Sequence, residues 1–466
     1  MLEGLEAEEI NIACTKDNKD FRIDSDFWTK IPCKNPNLRY EKIGNILKQA
    51  QYGISISMNE DKVGYPIYRM NEIHNMFCDI DVDKYADISR NEFLKFKLND
   101  RDVLFNRTNS YEWVGRTGLF RKINNKDFTF ASYLVRFVPD DTKVYPEFLT
   151  AFLNTKYGMS DIKRHSRHSI NQTNVNPEEV KDIYIPILSL TIQNIIRDIF
   201  NYAHKMRIKS DKLYNVAESL LFDTIGLNKF TPSQDPINIK QFKDSFLDSG
   251  RLDAEYYQKK YEDYLHIIYS YPNGYEILEN ACYLKDENYF PEDNTMYKYI
   301  ELANIGNSGE ITGCTSAQGC ELPSRARRKV NIDDVIISSI EGSLNACALV
   351  SEDYDNALCS TGFNVINSNI LNSETLLVLF KSELMQNILK QNCSGTILTA
   401  INKPDFIKIP VPLIDKSVQD TIKVSISESL HLKKNSEQLL GVAKRAIEIA
   451  IEHGEETALD YIQANT

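Results

Sequence analysis

Apolar residues return every seven positions along residues 191–226, and this stripe is the clearest pattern in the chain. The segment contains no proline and no glycine before Gly226, which stands where a helix C-cap belongs. Apolar positions spaced in this way keep one face of a helix turned toward a partner, as in a coiled coil. The stripe therefore predicts one long amphipathic helix. Its repeating positions are Ile192, Ile199, Met206, Leu213 and Leu220, and the neighbouring Ile195, Ile196, Ala203, Val216 and Ala217 widen it.

A second stripe of the same design occupies residues 417–454, shifted by 226 positions from the first. Each stripe could also be a core helix buried in its own domain. The matching positions and the shared length favour pairing of the two helices with each other. The repeating positions of the second stripe are Val418, Ser425, Leu432, Leu439 and Ala446.

Short motifs also occur twice, in the same order and with a nearly constant shift. FRIDSDFW at 21–28 returns as GRLDAEYY at 250–257, and DVLF at 102–105 returns as DVII at 334–337. Seven ordered matches indicate a tandem duplication with loop insertions, at a period far longer than that of a solenoid. The other matches are Ile10 to Ile12 with Ile237 to Ile239, YPIYRMNEIHN at 65–75 with YKYIELANIGN at 297–307, TNVN at 173–176 with TAIN at 399–402, Pro186 with Pro412, and Gln193 with Gln419.

Ahead of each long helix, short runs rich in Val, Ile, Phe and Tyr alternate with turn residues, a pattern typical of β-strands. One or two helices are predicted to interrupt the strands of each half, at about 145–157 and 373–390, with Glu147 or Glu374 in the first turn. The sequence thus predicts an α/β (α+β) fold in which two long antiparallel coiled-coil helices separate two β-rich domains, with a pseudo-two-fold internal repeat. The predicted strands are 103–106, 132–138, 183–187, 335–339, 363–366 and 407–411.

The predicted division of the chain follows from these elements. It runs from a first β-rich domain (1–190) through a first long helix (191–226), a linker with two prolines (227–240) and a second β-rich domain (241–416) to a second long helix (417–454). A helix of this length would measure on the order of 50 Å. DNA half-sites one helical turn apart are separated by about 34–36 Å, so a rod of this scale suits reading two half-sites across an unread spacer.

This layout resembles the specificity (S) subunits of type I restriction–modification systems, which have two target-recognition domains, each followed by a long helix. The RxDxE/D-aromatic opening of each half and the exit strands IYIPI and IKIPVPL, which lead into Gln193 and Gln419, also resemble that family. The resemblance implies a non-catalytic subunit whose domains each read one half of a bipartite target in double-stranded DNA. It further implies two methyltransferase (M) subunits as partners, restriction/translocase (R) subunits where the system has a nuclease, and the cytoplasm of a bacterial or archaeal cell.

Candidate DNA contacts are the basic and amide side chains near strand ends. Arginine and lysine suit phosphate oxygens, while arginine, asparagine and glutamine suit purine edges; a solvated basic surface is the alternative explanation. Tyr111 and Trp113 could stack on or wedge against a base, or pack internally. The candidates are Lys163, Arg164, Arg167, His168, Asn171, Gln172, Asn106 and Arg107 in the first half, and Arg325, Arg327, Arg328 and Lys329 in the second.

Charge and motif content argue against an independent enzyme. The net charge of −12 disfavours unaided DNA binding and points to partners that supply positive charge. No P-loop, glycine-rich cofactor loop or hydrolase motif is present, so we expect neither a cofactor nor a catalytic residue. His165 and His168 form an HxxH pair without a third metal ligand. The acids after Arg22 and Arg251 are interpreted as ion-pair partners of those arginines.

Nine cysteines at irregular spacing indicate reduced thiols, and no apolar run is long enough to span a membrane. Three alternative functions stay open. The first is the specificity protein of a related phage-defence modification system. The second is a two-domain coiled-coil scaffold that binds protein rather than DNA, and the third is a duplicated enzyme.

Overall fold

Two long helices, Leu190–Ile225 and Lys416–His453, dominate the secondary structure. The computed structural model describes residues 7–16, 21–123, 126–170, 172–243, 245–395 and 399–466. Both helices begin and end within one residue of the positions predicted from the seven-residue stripes. The long helices of the predicted fold class are therefore confirmed.

The chain divides into two compact units, named here unit 1 and unit 2. Unit 1 comprises Met1–Met206 with Lys434–Thr466, and unit 2 comprises Arg207–Lys433. Each long helix contributes one segment to each unit.

Up to the end of the first long helix, the chain forms eight helices and fourteen strands among its described residues. The helices are α1 (Ile12–Lys16), α2 (Ser25–Thr29), α3 (Ile43–Ile46), α4 (Arg90–Phe96), α5 (Pro146–Leu153), α6 (Lys156–Arg164), α7 (Pro177–Val180) and α8 (Leu190–Ile225). The strands are β1 (Tyr40–Lys42), β2 (Leu47–Tyr52), β3 (Tyr65–Tyr68), β4 (Ile73–His74), β5 (Phe77–Cys78), β6 (Tyr85–Ala86), β7 (Val103–Asn106), β8 (Thr108–Asn109), β9 (Thr117–Leu119), β10 (Thr129–Phe130), β11 (Leu134–Pro139), β12 (Ser166–His168), β13 (Thr173–Val175) and β14 (Tyr184–Pro186).

The remainder of the chain continues the same numbering. Its helices are α9 (Phe246–Ser249), α10 (Lys259–Tyr269), α11 (Leu278–Ala281), α12 (Ser373–Lys381), α13 (Glu383–Gln391), α14 (Lys403–Phe406), α15 (Lys416–His453) and α16 (Glu455–Asn465). Its strands are β15 (Tyr275–Ile277), β16 (Tyr283–Leu284), β17 (Met296–Ile300), β18 (Thr315–Gln318), β19 (Ala326–Lys329), β20 (Val335–Ser338), β21 (Cys347–Leu349), β22 (Leu358–Ser360), β23 (Phe363–Asn367), β24 (Cys393–Ser394), β25 (Ala400–Ile401) and β26 (Pro410–Pro412).

The sheets of unit 1 are built around β7, which lies inside a six-stranded sheet of order β2-β11-β7-β9-β5-β4. All four residues of β7 are buried, as expected for an apolar strand with a layer on each face. Smaller sheets have the orders β10-β3-β6, β12-β13-β8 and β1-β14. The last of these carries the chain from the exit strand into α8.

Unit 2 repeats the central pairing with fewer strands. Its sheets have the orders β16-β23-β20-β21, β18-β17-β22-β19, β15-β26 and β24-β25. The strand β20 pairs antiparallel with β23, just as β7 pairs with β11. The parallel pair β17–β22 corresponds to β3–β10. The repeat read from short sequence motifs is thus a repeat of strand pairing.

Each helical segment predicted before the exit strand contains two helices. In unit 1 the Thr155 side chain accepts a hydrogen bond from the Gly158 backbone nitrogen at 3.1 Å, which starts α6. In unit 2 the Ser382 hydroxyl accepts from the Met385 nitrogen at 3.3 Å and starts α13. Such N-caps favour a break because they supply the acceptor that the first turn lacks. Of the one or two helices predicted at about 145–157 and 373–390, the structure has two in each half, and α6 extends to Arg164, beyond the predicted range.

The predicted strand at 407–411 is also shifted. Residues Lys403–Phe406 form α14, capped by the Asn402 side chain, and the strand begins only at Pro410. Asn176 caps α7 in the same way. The repeated Thr-x-x-Asn motif thus ends in a helix cap in both units.

The buried seam of the long helices lies four residues along from the predicted one. Fully buried positions do recur every seven residues, whereas Met206, Leu213 and Leu220 are only half-buried. The buried residues are Ile196, Ala203, Ser210 and Ala217 in α8, and Ile422, Ser429, Ser436 and Ala443 in α15. The alanines and serines among these residues let the two backbones approach closely.

Serine hydroxyls show how close that approach is. In unit 1, Ser436 Oγ donates to the Ala203 carbonyl at 3.0 Å. In unit 2, Ser429 Oγ donates to the Ser210 carbonyl and Ser210 Oγ to the Ser429 carbonyl, both at 2.8 Å. Each unit thus contains its own tightly packed segment of α8 and α15.

Two large hydrophobic clusters fill the units separately. In unit 1, Phe105 and Phe148 pack in one cluster with Ile196 of α8 and Ile447 of α15. In unit 2, a corresponding cluster joins Ile337 and Phe380 to Ala217 of α8 and Ile426 of α15. Within the described part of the chain, no helix has both the length and the apolar character needed to cross a membrane.

Candidate nucleic-acid interface

A short polar sheet in unit 1 brings together side chains from two distant parts of the sequence, 108–109 and 166–175. Strand β13 pairs with β12 on one side and with β8 on the other. Thr108 Oγ1 donates to Asn174 Oδ1 at 2.6 Å across the sheet. This sheet of three short strands, with residues 110–116 that follow β8, is named here the β8–β13 face.

Asn106 is buried beneath the β8–β13 face and does not present its side chain on it. It is fully buried, and its Nδ2 lies 3.5 Å from the carbonyls of Met70 and Trp113. Its Oδ1 accepts from the Thr108 nitrogen at 3.3 Å. Because its amide is used inside the fold, Asn106 holds residues 110–116 in place and is not available to DNA. The prediction that it contacts DNA needs that correction.

Two exposed aromatic rings on the β8–β13 face each carry a cation. Lys163 Nζ lies 4.5 Å from the centre of the Tyr111 ring. The Arg116 guanidinium lies 3.4 Å from the centre of the Trp113 ring, and its burial lowers the pKa of Arg116 to about 10. Cations over aromatic rings are ordinary stabilising contacts, and here they combine positive charge with stacking surface.

Arg107 lies between β7 and β8, at the edge of the same face. Its guanidinium is 5.2 Å from the centre of the Tyr52 ring. Arg167, in β12, is 47 % exposed, and its NH2 lies 3.1 Å from Glu179 Oε1. Gln172 is exposed, and its carbonyl accepts from the Ser169 nitrogen at 2.8 Å. These three predicted residues thus lie at or near one surface with Lys163.

Arg164, by contrast, is used entirely by the fold. Its Nε donates to Asp161 at 2.7 Å and its NH1 to the Phe27 carbonyl at 2.9 Å. The neighbouring His165 is buried, with Nδ1 2.7 Å from the Asp161 carbonyl. Burial, together with the adjacent Arg164 charge, lowers the pKa of His165. The predicted DNA contact at Arg164 is therefore corrected to a structural ion pair.

The repeated opening motif docks against the same helix end. Arg22 pairs with Asp24 at 2.8 Å and also donates to the Ser166 carbonyl at 3.2 Å. In unit 2, Arg251 pairs with Asp253 at 2.6 Å and donates to the Cys393 carbonyl at 3.0 Å. The interpretation is confirmed for Asp24 and Asp253, whereas Asp26 pairs with Lys30 and Glu255 accepts from the Tyr261 hydroxyl. The arginine of each ion pair fastens the start of its half to the strand after α6 or α13.

The basic residues predicted in unit 2 lie on β19 or, in the case of Arg325, directly before it. The candidate residues of unit 1 do not lie on an equivalent strand. Arg328 is only 16 % exposed and donates to Asp286 Oδ1 at 2.6 Å, so it too is structural and its predicted DNA contact is corrected. Arg327 lies 5.0 Å from the centre of the exposed Phe290 ring. Lys329 is exposed, and Arg325 is 64 % exposed with Glu301 at 3.6 Å. These last three keep their charges at the surface.

Two predicted residues cannot be placed. Asn171 lies outside the described residues, and for His168 only the backbone, in β12, is described. Sequence reasoning missed Tyr52, because nothing local marks a tyrosine that a distant segment brings to the same face. Within the described ranges, no three His, Cys, Asp or Glu side chains converge as they would around a metal ion.

Sequence comparisons show similarity to specificity subunits of type I restriction systems. Residues 41–218 match the family described as "Type I restriction modification DNA specificity domain". A Methanocaldococcus jannaschii protein named as the type I restriction enzyme MjaX specificity subunit is 23 % identical over 419 residues, covering 87 % of this chain and 90 % of that protein. The EcoKI specificity subunit of Escherichia coli is 23 % identical over 203 residues, or 42 % of this chain and 44 % of its own length.

Solved structures with a detectable likeness include two specificity subunits. The S subunit of a type I system from M. genitalium has a TM-score of 0.37 and 12 % identity, covering 92 % of this chain and 97 % of that one. The HsdS subunit from Thermoanaerobacter tengcongensis has a TM-score of 0.30 and 11 % identity, covering 90 % and 98 %. At such low TM-scores the assignment rests on the sequence matches.

Proposed function

We infer that this chain, which belongs to the family of type I restriction–modification specificity subunits, directs a DNA-modifying complex to a bipartite sequence. Unit 1 and unit 2 each read one half of that sequence. The observation that carries the inference is the duplication itself. Each unit has the same opening ion pair, the same strand pairing and its own segment of both long helices.

The differences between the units support separate targets. The backbone hydrogen bond from the Val175 nitrogen to the Arg107 carbonyl recurs between the Ile401 nitrogen and the Ser339 carbonyl. The side chains at these two equivalent positions are nevertheless an arginine and a serine. A shared scaffold with different surface side chains is what two readers of different half-sites require, since base contacts rather than backbone contacts set specificity.

The proposed DNA contacts are those predicted residues whose charged or polar groups reach the surface. In unit 1 they are Arg107, Lys163, Arg167 and Gln172, and in unit 2 they are Arg325, Arg327 and Lys329. His168 and Asn171 stay predictions from sequence.

The chemistry is supplied by partners in this proposal. Two methyltransferase subunits bind the chain and modify adenine, and restriction/translocase subunits join them where the system cuts DNA. A chain with a net charge of −12 repels a polyanion overall, so we expect the partners to contribute much of the phosphate contact and the isolated chain to bind DNA weakly. The site of action is wherever the host DNA lies, the cytoplasm of a prokaryotic cell.

The test is a methylation map of host DNA. The chain is co-expressed with its cognate methyltransferase, and N6-methyladenine is located by sequencing in cells with and without the gene for this chain. A bipartite motif that disappears on deletion supports the proposal, and exchange of residues 1–187 for the corresponding part of another specificity subunit should change one half of the motif only. A methylation pattern that is identical without the chain contradicts it and favours the protein-binding scaffold.

A further inference from the structure

The backbone of Arg107 is fixed on both sides by hydrogen bonds. Its nitrogen donates to the Tyr133 carbonyl at 3.0 Å, and its carbonyl accepts from the Val175 nitrogen at 2.9 Å. The residue before it, Asn106, is fully buried. Arg107 therefore projects from a rigid point of unit 1, and rigid placement is what base recognition requires of a side chain.

The terminal donors of the Arg107 guanidinium are not used within the described residues. Its Nε is covered by protein without a hydrogen-bond partner among those residues, as are Arg22 NH1 and Arg136 Nε, so Nε itself is not offered to an outside group. NH1 and NH2 of Arg107 are not among the buried atoms, and the guanidinium lies near the face of the Tyr52 ring. Arg164 and Arg328, by contrast, each donate to an aspartate. The NH1 and NH2 groups of Arg107 are thus available to an acceptor outside the chain.

The equivalent position in unit 2 has no such available donor. Ser339 Oγ donates to the Gly362 carbonyl at 2.9 Å and is satisfied within the fold. The scaffold is kept, as the matching bonds to Val175 and Ile401 show, while the side chain that reaches outward is replaced. Arg107 therefore belongs to what distinguishes unit 1 from unit 2 and not to the shared framework.

We propose that Arg107 reads a guanine in the half-site bound by unit 1, with its guanidinium donating to the O6 and N7 of that base. Arginine paired with guanine in the major groove is the commonest specific contact between a side chain and a base. Stacking on Tyr52 would hold the plane of the guanidinium while it donates. The inference rests on the proposed function, because it requires that unit 1 contact DNA.

The experiment uses the complex of the full chain with its cognate methyltransferase. Methylation is measured on a DNA library in which each motif position is varied in turn, for the wild type, Arg107→Ala and Arg107→Lys, with Ser339→Ala as the matched control in unit 2. We expect both Arg107 variants to lose the preference for one guanine in one half-site, by about 10- to 100-fold. The other half-site should be unchanged, and Ser339→Ala should leave that guanine preference intact.

Four results would overturn the inference while leaving the proposed function standing. The wild-type motif could contain no guanine on either strand of either half. Both variants could keep the preference unchanged. Arg107→Ala could weaken methylation equally at all sequences, which marks a phosphate contact. Finally, Arg107→Lys, which keeps the charge but not the planar fork, could retain the guanine preference. If no motif depends on this chain at all, the proposed function itself fails. Should Arg107→Ala not assemble with the methyltransferase, the wild-type motif and Arg107→Lys still decide the question.

Discussion

A buried glutamine at the start of each long helix offers the sharpest test of how the units are built. Gln193 is 1 % exposed. Its Oε1 accepts from the Tyr145 nitrogen at 3.0 Å, and its Nε2 donates to the Leu188 carbonyl at 2.9 Å. It therefore ties the N-terminus of α5 to the turn that enters α8. Gln419 makes the equivalent contacts to Asn372 and Ile414, both at 2.8 Å.

The change Gln193→Met keeps the length of the side chain and removes both hydrogen bonds. It leaves a backbone N–H and a backbone C=O unpaired in the interior, and each such group costs about 1–3 kcal/mol. The unpaired carbonyl should cost an amount near the lower end of this range, because buried carbonyls without a partner are tolerated better than buried N–H groups without one. We therefore expect the free energy of unfolding of unit 1 to fall by about 2–4 kcal/mol, or the melting temperature to fall by about 5–15 °C.

Tryptophan fluorescence can follow the unfolding of unit 1 selectively. Its two tryptophans, Trp28 and Trp113, both lie in unit 1, so urea unfolding followed by tryptophan fluorescence measures that unit. Gln193→Met should lower the fluorescence midpoint. The matched variant Gln419→Met removes the same kind of contact from unit 2, and its effect should be seen by far-ultraviolet circular dichroism. A Gln193→Met protein within about 0.5 kcal/mol of the wild type, the usual range for a neutral surface change, would refute the reasoning.

Substitutions at four further residues test other parts of the structure. Ser429→Ala should cost about 1 kcal/mol for its lost hydrogen bond, whereas Ser429→Leu should cost on the order of 3 kcal/mol because the close helix contact has no room for it; equal losses in urea unfolding would contradict the close approach. Arg164→Ala should destabilise unit 1 by about 3 kcal/mol, since it strands a buried aspartate. Lys163→Ala should leave the free energy of unfolding nearly unchanged and reduce the salt dependence of DNA binding by the complex by about one phosphate contact. A loss of stability in Lys163→Ala, together with a reduced salt dependence in Arg164→Ala, would contradict the roles given to these two residues. Hydrogen bonds, first from Lys156, lower the pKa of Glu452 to about 2, so its stabilisation is present above about pH 5 and is lost as the pH falls toward 2; Glu452→Gln should be less stable than the wild type at pH 7 and equal to it near pH 2, and a constant difference in unfolding free energy across that range would contradict the assigned contact.

Much of the architecture was already determined by patterns that are local in sequence. The seven-residue stripes placed both long helices within one residue of their ends, since an uninterrupted amphipathic run has few other conformations available. The repeated opening motif predicted its ion pairs because Arg22 and Asp24 are two residues apart. The constant shift between motifs identified Gln193 and Gln419 as equivalent, although it gave no reason for their equivalence.

Tertiary structure decided which faces are buried and which polar groups are already used. The helix seam runs along Ala203 and Ser210 rather than along the larger Met206 and Leu213, because small side chains let the backbones come within hydrogen-bonding distance. Local hydrophobicity cannot reveal that choice, since it depends on the shape of the partner helix.

The same limit applies to the candidate DNA contacts. Arg107 and Arg164 are both arginines in polar surroundings, and sequence treats them alike. Arg164 is satisfied by the carbonyl of Phe27, a residue 137 positions away along the chain, while the Arg107 guanidinium lies near the ring of Tyr52. The sequence by itself determined the duplicated fold and the resemblance to a family. The folded chain decided which charges are already paired, because a hydrogen-bond acceptor that lies far away in sequence leaves no local trace beside its donor.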